Sequence, residues 1–480
     1  MQENLSSHPS SLRVFFITEM WERYGFYVIQ SLLALFLSLH FKWPDKKVYF
    51  LVSAFTALNY LTPVIGGWVA DHLLGQKRAI ITGAFILLMS YLTLALITTD
   101  AMLIVALALI PVGTGLLKPN ISSLLGNEYP EASSKRDSGF TIFYMGLAGG
   151  IILGTTLPNI INEYFGWSAS FASACFGMLV AIGVFVYGVR RYQIADYHPS
   201  VYQWRKMIQA LIISGLMWWV SYNILSYPHL ADFVIAGIAL LSIAYFVYSV
   251  KRESAAQSAK TLVIGLLCLI SVLFWAFYFQ MFMSLTLFIV RVVQPILFGI
   301  KFYPPYYISV QSVGLILFGL YFSGQKKQLT IKESGVLSAN KFLMAIVFMM
   351  ISYAAIALIC HLSTDALMLS PLLFIPVYLL ISLAEILLSP VGLSAVSLLA
   401  NTKKVSTMVG MFFVTLGLGA FLSGKLAGLT AIPDGETSVA VLKLHYAHAF
   451  NQQFCILLVS TLMCVGLNLM IKRLLSKSCI

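Results

Sequence analysis

Long apolar runs alternate with short polar segments along almost the whole chain. Each run is long enough for a helix that crosses a membrane, which needs about 20 predominantly apolar residues. Hydropathy predicts about fourteen such helices. They begin near Val14, Val48, Arg78, Met102, Phe140, Ser168, Met207, Asp232, Thr261, Pro305, Asn340, Leu369, Ser406 and His448. The pattern predicts an all-α protein embedded in a membrane.

The composition favours the same fold class. Of the 480 residues, 59% are hydrophobic and only 10% are charged, with a mean hydropathy of +0.88. Soluble globular domains do not have such a composition, whereas proteins that cross the membrane many times do. The six cysteines show no C-x-x-C spacing, so neither a metal site nor a disulfide framework is expected. We find no P-loop and no nucleophile–base motif, and therefore expect a protein that is not an enzyme.

The net charge of +12 is explained by membrane topology. With the N-terminus in the cytoplasm, 21 of the 30 lysines and arginines fall on the cytoplasmic side and six on the outer side. This bias is the positive-inside signature of membrane proteins. We therefore expect a multi-pass protein of the cell (inner) membrane with both termini cytoplasmic. The lipid bilayer is an expected partner of the protein, and nucleic acid is not, because the basic excess is a topology signal.

Three charged residues interrupt the first apolar run. Glu19, Glu22 and Arg23 are spaced three and four positions apart, so they share one helical face and can neutralise one another. Each charge inside a membrane costs roughly 2.5–3.5 kcal/mol on insertion scales. The cluster is either a structural ion pair that fixes helix packing or part of a proton or substrate pathway. Intramembrane ionisable residues favour the second interpretation.

A lysine inside the fourth predicted span is a further candidate. Lys118 is followed by Pro119, which lacks a backbone N–H group and leaves a carbonyl of the preceding turn unpaired. A lysine near a helix end can extend to the membrane surface, but Lys118 lies well inside its span. The position favours a functional cation.

Five motifs are spread from the first span to the twelfth. They are Glu19-x-x-Glu22-Arg23; Lys118-Pro119-Asn120; Arg136-Asp137-Ser138-Gly139-Phe140-x-x-Phe143-Tyr144-Met145-Gly146; Phe274-Trp275-Ala276 with Ser284-Leu285-Thr286-Leu287-Phe288; and Ala384-Glu385-Ile386-Leu387-Leu388-Ser389-Pro390-Val391-Gly392-Leu393. Together they resemble the proton-coupled oligopeptide transporter (POT/PTR) family of the major facilitator superfamily, in its bacterial form. The motifs are long and follow the order of the family.

The resemblance implies the major facilitator superfamily fold, with two bundles of six membrane helices. The first bundle would comprise residues 1–193 and the second residues 261–480. Residues 194–260 would add two membrane helices and a cytoplasmic linker, as in bacterial members of the family. The ninth predicted span is then the seventh helix of the core.

The resemblance also implies a function and its residues. The function is symport of protons with di- or tripeptides or peptide-like solutes by alternating access, driven by the proton gradient without a cofactor. Proton coupling is assigned to Glu19, Glu22, Arg23 and Lys118. Substrate binding is assigned to Lys118 for the peptide carboxylate, Glu385 for the amino group, and Tyr27, Tyr60, Trp275 and Ser389 in the pocket. The three carboxylates and two cations of this set leave a charge of −1, which one bound proton would neutralise.

Several positions depart from the family pattern. Relative to the family, the chain lacks a carboxylate-binding arginine, an asparagine that contacts the peptide, a glutamate that pairs with the fourth-span lysine, and an asparagine and a tryptophan of the pocket. In that order, the residues present are Gln30, Ala148, Phe279, Gln311 and Phe412. An aspartate expected before Arg291 is replaced by Val290. We expect an atypical binding site with altered or narrower specificity, because glutamine carries no charge for a carboxylate.

The replacements leave two questions open. Lys118 either pairs with Glu19 or Glu22 or becomes the main anchor of a substrate carboxylate, because an unpaired buried ammonium is unfavourable. A same-fold transporter of a non-peptide solute is an alternative function that the altered pocket favours. A sensor that binds without transport fits less well, because binding alone does not require the retained proton-coupling residues.

Overall fold

The computed structural model of the chain is almost entirely helical. It describes residues 8–129, 135–196, 203–323, 331–363, 367–401, 404–433 and 438–477. The helices are α1 (Leu12–Leu35), α2 (Asp45–Val69), α3 (Gln76–Ala95), α4 (Asp100–Asn127), α5 (Arg136–Tyr192), α6 (Trp204–Ser226), α7 (Pro228–Arg252), α8 (Ala255–Tyr278), α9 (Ser284–Val292), α10 (Tyr306–Ser323), α11 (Ile331–Leu362), α12 (Ile375–Leu399), α13 (Val405–Ala427) and α14 (Val439–Lys477). Two short antiparallel strands, β1 (Ile296–Leu297) and β2 (Ile300–Lys301), form the one sheet in these ranges.

The described helices reproduce the predicted number of membrane spans. Eleven segments are long and apolar enough to cross a membrane, and one of these is the joined α8 and α9. The long α5 contains two spans that meet at Gly166, where φ is +80°, a conformation that glycine adopts without the steric cost of a Cβ atom. The charged α1 and the shorter α10 complete a set of fourteen. The predicted all-α membrane fold is confirmed.

Several predicted helix starts are wrong. α11 begins at Ile331 instead of near Asn340, and α14 begins at Val439 instead of near His448. Hydropathy misses these added turns because they contain polar residues, whereas a helix can continue into water with its backbone hydrogen bonds intact. α12 shows the opposite error and begins only at Ile375, because Pro371 opens a separate 3-10 turn before it.

The described chain groups into two compact units. The first comprises Met1–Phe36 and Leu58–Ala231, and the second comprises Leu37–Ala57 and Asp232–Ile480. Of the two additional helices, α6 belongs to the first unit and most of α7 to the second. The division into 1–193, 194–260 and 261–480 rests on topology rather than on these contacts and stays a prediction.

Close packing between α1 and α5 organises the first unit. A Cβ atom on Gly150 would collide with the carbonyl oxygen of Met20, and one on Gly154 would lie 2.7 Å from that of Tyr24. Neither glycine has a positive φ, so space rather than backbone conformation requires it. Small residues allow membrane helices to approach at this distance. The approach buries the charged face of α1 inside the unit.

An ion pair joins the start of α2 to the end of α9 in the second unit. Arg291 donates to Asp45 from Nη2 at 2.7 Å and from Nη1 at 2.8 Å. Arg291 Nη1 also donates to Tyr446 Oη at 2.9 Å, and the backbone N–H of Ile432 donates to Asp45 Oδ2 at 3.1 Å. Two parallel bonds between guanidinium and carboxylate are the strong geometry for this pair.

Replacing Gly150 by alanine is expected to destabilise the protein, because the added methyl group overlaps the backbone of α1. Overpacking of this kind costs roughly 1–3 kcal/mol. Gly183, in the same helix, has no heavy atom within 4 Å of an added Cβ and supplies the control. Gly183→Ala is expected to be neutral or slightly stabilising, because alanine favours a helix over glycine. Thermal unfolding in detergent compares the two variants, and an unchanged melting temperature for Gly150→Ala would contradict this packing.

Candidate functional site

The charged turn of α1 forms a buried ion-pair cluster. Arg23 donates two hydrogen bonds to Glu22, from Nε to Oε2 at 2.5 Å and from Nη2 to Oε1 at 2.6 Å. The Nε atom also lies 3.6 Å from Glu19 Oε1. None of the three residues is more than 3% exposed. Both carboxylates therefore share one guanidinium, but unequally.

Glu19 is the less satisfied of the two carboxylates. Its Oε2 atom is buried and has no hydrogen-bond partner among the described residues. Glu22, in contrast, accepts a bond from Arg23 on each oxygen. A buried acceptor without a donor is unfavourable. The structure thus distinguishes two glutamates that their spacing in the sequence could not rank.

Lys118, on α4, lies near this cluster without a direct ion pair. Its Nζ atom is 5.1 Å from the centroid of the Tyr60 ring, within the range of a cation–π contact. Glu19, Glu22 and Arg23 interact with it electrostatically. In the part of the first unit that the structure describes, however, no carboxylate oxygen lies within 4.0 Å of Nζ. Of the two predicted arrangements, the direct pair with Glu19 or Glu22 is not formed.

The other predicted residues of the first unit lie on α1 and α5. Tyr27 and Gln30 follow Arg23 at i+4 and i+7, so the three share one face of α1. Gln30 is 2% exposed, whereas Tyr27 and Ala148 are partly buried. Phe26 lies under the Arg23 guanidinium, 4.8 Å from Cζ to the ring centroid, and contacts Tyr27 edge to face. The Phe26 ring therefore packs against the Arg23 guanidinium.

A hydrogen-bonded glutamate is the central feature of the second unit. Gln311 on α10 donates from Nε2 to Glu385 Oε2 on α12 at 2.5 Å. Tyr278 on α8 bonds the same carboxylate. Ser382, one turn before Glu385, donates from Oγ to the backbone oxygen of Gln311 at 2.7 Å. Ser389 lies one turn after Glu385 and is partly exposed. Three helices of this unit thus converge on one carboxylate.

Predicted aromatic site residues of the second unit are packed inside it. Trp275 and Phe279 stack with ring centroids 5.5 Å apart, and Tyr278 packs edge-on against Trp275 at 4.9 Å. Trp275 and Phe279 are only 3% and 2% exposed. Phe412 is 1% exposed, and its ring would collide with a Cβ atom on Gly392. Contact of these rings with a substrate stays a prediction.

Sequence reasoning missed two of these contacts. The first is the hydrogen bond between Tyr278 and Glu385. The position of Tyr278, one turn after Trp275, suggests that it faces the pocket but does not identify its partner. The second is the ion pair between Arg291 and Asp45. The family pattern predicts an aspartate immediately before Arg291, but Val290 occupies that position. The sequence shows that the aspartate expected before Arg291 is missing, but it does not show that Asp45 takes over as the partner of Arg291.

Comparison with known proteins agrees with the motifs. The profile of the POT family (PTR2) matches residues 77–441, about three quarters of the chain. The chain is 28% identical to dipeptide and tripeptide permease B of Yersinia enterocolitica, covering 99% of this chain and 97% of the relative. It is also 28% identical to dipeptide and tripeptide permease A of Klebsiella pneumoniae, covering 94% and 90%.

Solved structures of peptide transporters share the fold. A bacterial homologue of the human drug peptide transporters PepT1 and PepT2 matches with a TM-score of 0.83 and 26% identity over 97% of this chain and 99% of the other. Tetrameric PepTSo2 matches with a TM-score of 0.85 and 26% identity over 98% and 100%. A variant of a peptide transporter POT in complex with alafosfalin matches with a TM-score of 0.83 and 26% identity over 98% and 97%.

The fold, the motifs and the family profile lead to one assignment. The protein is a multi-pass membrane transporter with the major facilitator superfamily fold and is not an enzyme. The chain belongs to the POT family, as its five motifs predicted.

Proposed function

We propose that the protein imports di- and tripeptides or peptide-like solutes together with protons, by alternating access. The Lys118 ammonium carries the proposal, because it is a cation inside an apolar helix long enough to span a membrane, and no carboxylate oxygen among the described residues of its own unit lies within 4.0 Å of it. In this proposal Lys118 binds the substrate carboxylate and Glu385 binds the amino group. The names of the relatives, dipeptide and tripeptide permeases, support the substrate class.

Charge balance within the first unit couples the substrate to a proton. Glu19 and Glu22 balance Arg23 and Lys118, so the unloaded set is neutral. A substrate carboxylate on Lys118 brings the set to −1, which is unfavourable in a membrane unless a proton follows. Glu19 is the receiving residue, because its Oε2 atom has no hydrogen-bond partner among the described residues, whereas a proton on Glu22 would weaken its ion pair with Arg23. A membrane potential of 100 mV supplies roughly 2.3 kcal/mol per proton, enough for about a fifty-fold substrate gradient.

The basic residues support an orientation for this transport. With both termini in the cytoplasm, the positive-inside rule is obeyed by 21 lysines and arginines against six. A bacterial inner membrane then places the outward side in the periplasm, from which substrate and proton enter together. Neither a metal nor an organic cofactor is part of the proposal.

A transporter of a non-peptide solute is the second candidate function. The buried Phe279 favours it, because this phenyl ring is stacked on Trp275 where the family has a carboxylate. Failure of the purified protein to take up any dipeptide, while it still moves protons with other solutes, would favour this alternative.

Glu19→Gln is expected to keep the exchange of labelled dialanine between liposomes and medium but to lose accumulation driven by an inward proton gradient. The amide has the size of the carboxylic acid and no proton to gain. Glu22→Gln is expected to weaken both activities, because it removes the charge that pairs with Arg23 and replaces one of the two acceptor oxygens by an NH2 donor. The exposed Glu163 on α5 supplies the control, and Glu163→Gln should retain both. Gradient-driven accumulation by Glu19→Gln at the wild-type level would contradict its role as the proton acceptor.

Lys118→Ala is expected to weaken dialanine binding at least tenfold, because removing one partner of a buried charge pair costs roughly 2–5 kcal/mol. Dialanine amide lacks the carboxylate and is the matched ligand. Calorimetry with the purified protein should show much less difference between wild type and variant for the amide. Equal losses for both ligands would indicate a structural role of Lys118 and not an anchor.

A further inference from the structure

The hydrogen bond between Gln311 and Glu385 occupies the carboxylate to which the substrate amino group is assigned. The Nε2–Oε2 distance is 2.5 Å, and the hydroxyl group of Tyr278 bonds the same side chain. A carboxylate has acceptor sites for about four donors. Both donors are neutral groups, and no cation among the described residues forms an ion pair with Glu385.

The backbone geometry fixes this arrangement. Ser382 Oγ donates to the backbone oxygen of Gln311 at 2.7 Å, which joins α10 to α12 beside Glu385. One turn later on α10, a Cβ atom on Gly314 would lie 2.6 Å from Ser382 Oγ, so the two helices are in close contact there. With its backbone held in place, an asparagine at position 311 would end roughly 1.5 Å short of the amide of glutamine. The hydrogen bond to Glu385 therefore requires the length of a glutamine side chain at position 311.

We propose that Gln311 determines specificity by replacing a substrate amino group at Glu385 when none is present. The proposal rests on the proposed peptide transport. A substrate with a free ammonium group displaces the Gln311 amide and gains a charge-assisted bond. A peptide-like solute with a blocked amino group leaves the amide where it is, and Glu385 stays hydrogen-bonded.

The bond from Gln311 is expected to weaken the discrimination against substrates with a blocked amino group. A site rejects an analogue strongly when binding leaves its buried polar groups unpaired. Gln311 removes this penalty, and Tyr278 supplies a second donor. The site therefore accepts N-blocked peptide-like solutes together with peptides, and the glutamine lowers the preference for a free amino terminus.

Binding of dialanine and N-acetyl-dialanine to the purified full-length transporter tests the proposal by calorimetry. In Gln311→Asn, the ratio of the two affinities is expected to shift about tenfold in favour of dialanine. Gln311→Leu keeps the size of the side chain and removes the donor, and it should give the same shift. In a Glu385→Gln background the shift should disappear, because the carboxylate that both donors serve is gone.

Gln453 on α14 supplies the matched control. It is fully buried in the same unit and donates from Nε2 to the backbone oxygen of Leu426 at 3.0 Å. Gln453→Asn should leave the ratio unchanged. An unchanged ratio in both folded Gln311 variants, or the same shift in Gln453→Asn, overturns the role of Gln311 while dialanine binding leaves the transport proposal intact. A folded wild-type protein that binds neither peptide overturns both proposals, before any variant is compared.

Discussion

The buried pair of Glu22 and Arg23 is the interaction on which the first unit depends. Charges inside a membrane are tolerated when they are paired and hydrogen-bonded, and here bonds of 2.5 and 2.6 Å give each oxygen of one carboxylate a donor. The close approach of α5 at Gly150 buries the pair. Because Glu22 accepts both bonds from the guanidinium, one oxygen of Glu19 has no donor among the described residues. The Glu22–Arg23 ion pair therefore determines that Glu19, and not Glu22, has an oxygen available for a further hydrogen bond or a proton.

The second unit solves the same problem with neutral donors. Glu385 is bonded by the amide of Gln311 and by Tyr278, and no lysine or arginine of the described chain forms an ion pair with it. Neutral donors stabilise a carboxylate without cancelling its charge, so the carboxylate can still attract the ammonium group of a ligand. The first unit contains a lysine, Lys118, that contacts the Tyr60 ring and has no direct carboxylate partner among the described residues of that unit. Phe279, where the resemblance predicts a glutamate, is buried in the second unit and adds no charge to it.

Hydropathy and motifs predicted the number of spans, the family and the separation of charged residues along α1, because these properties are local in sequence. Helix ends were less predictable, since α11 and α14 extend into polar segments that hydropathy does not count. The partners of Glu385 were beyond prediction, because Gln311 lies 74 positions away and the contact depends on how α10 packs on α12. The burial of Phe412 against Gly392 likewise depends on tertiary packing. The unequal pairing of Glu19 and Glu22 required side-chain geometry.

Proton movement during substrate entry tests the central claim most directly. Purified protein is placed in liposomes that contain a pH-sensitive dye, with the membrane potential clamped at zero and equal pH on both sides. Addition of external dialanine is predicted to acidify the lumen, and liposomes without protein should show no change. Entry of labelled dialanine without acidification would contradict proton-coupled transport by this chain.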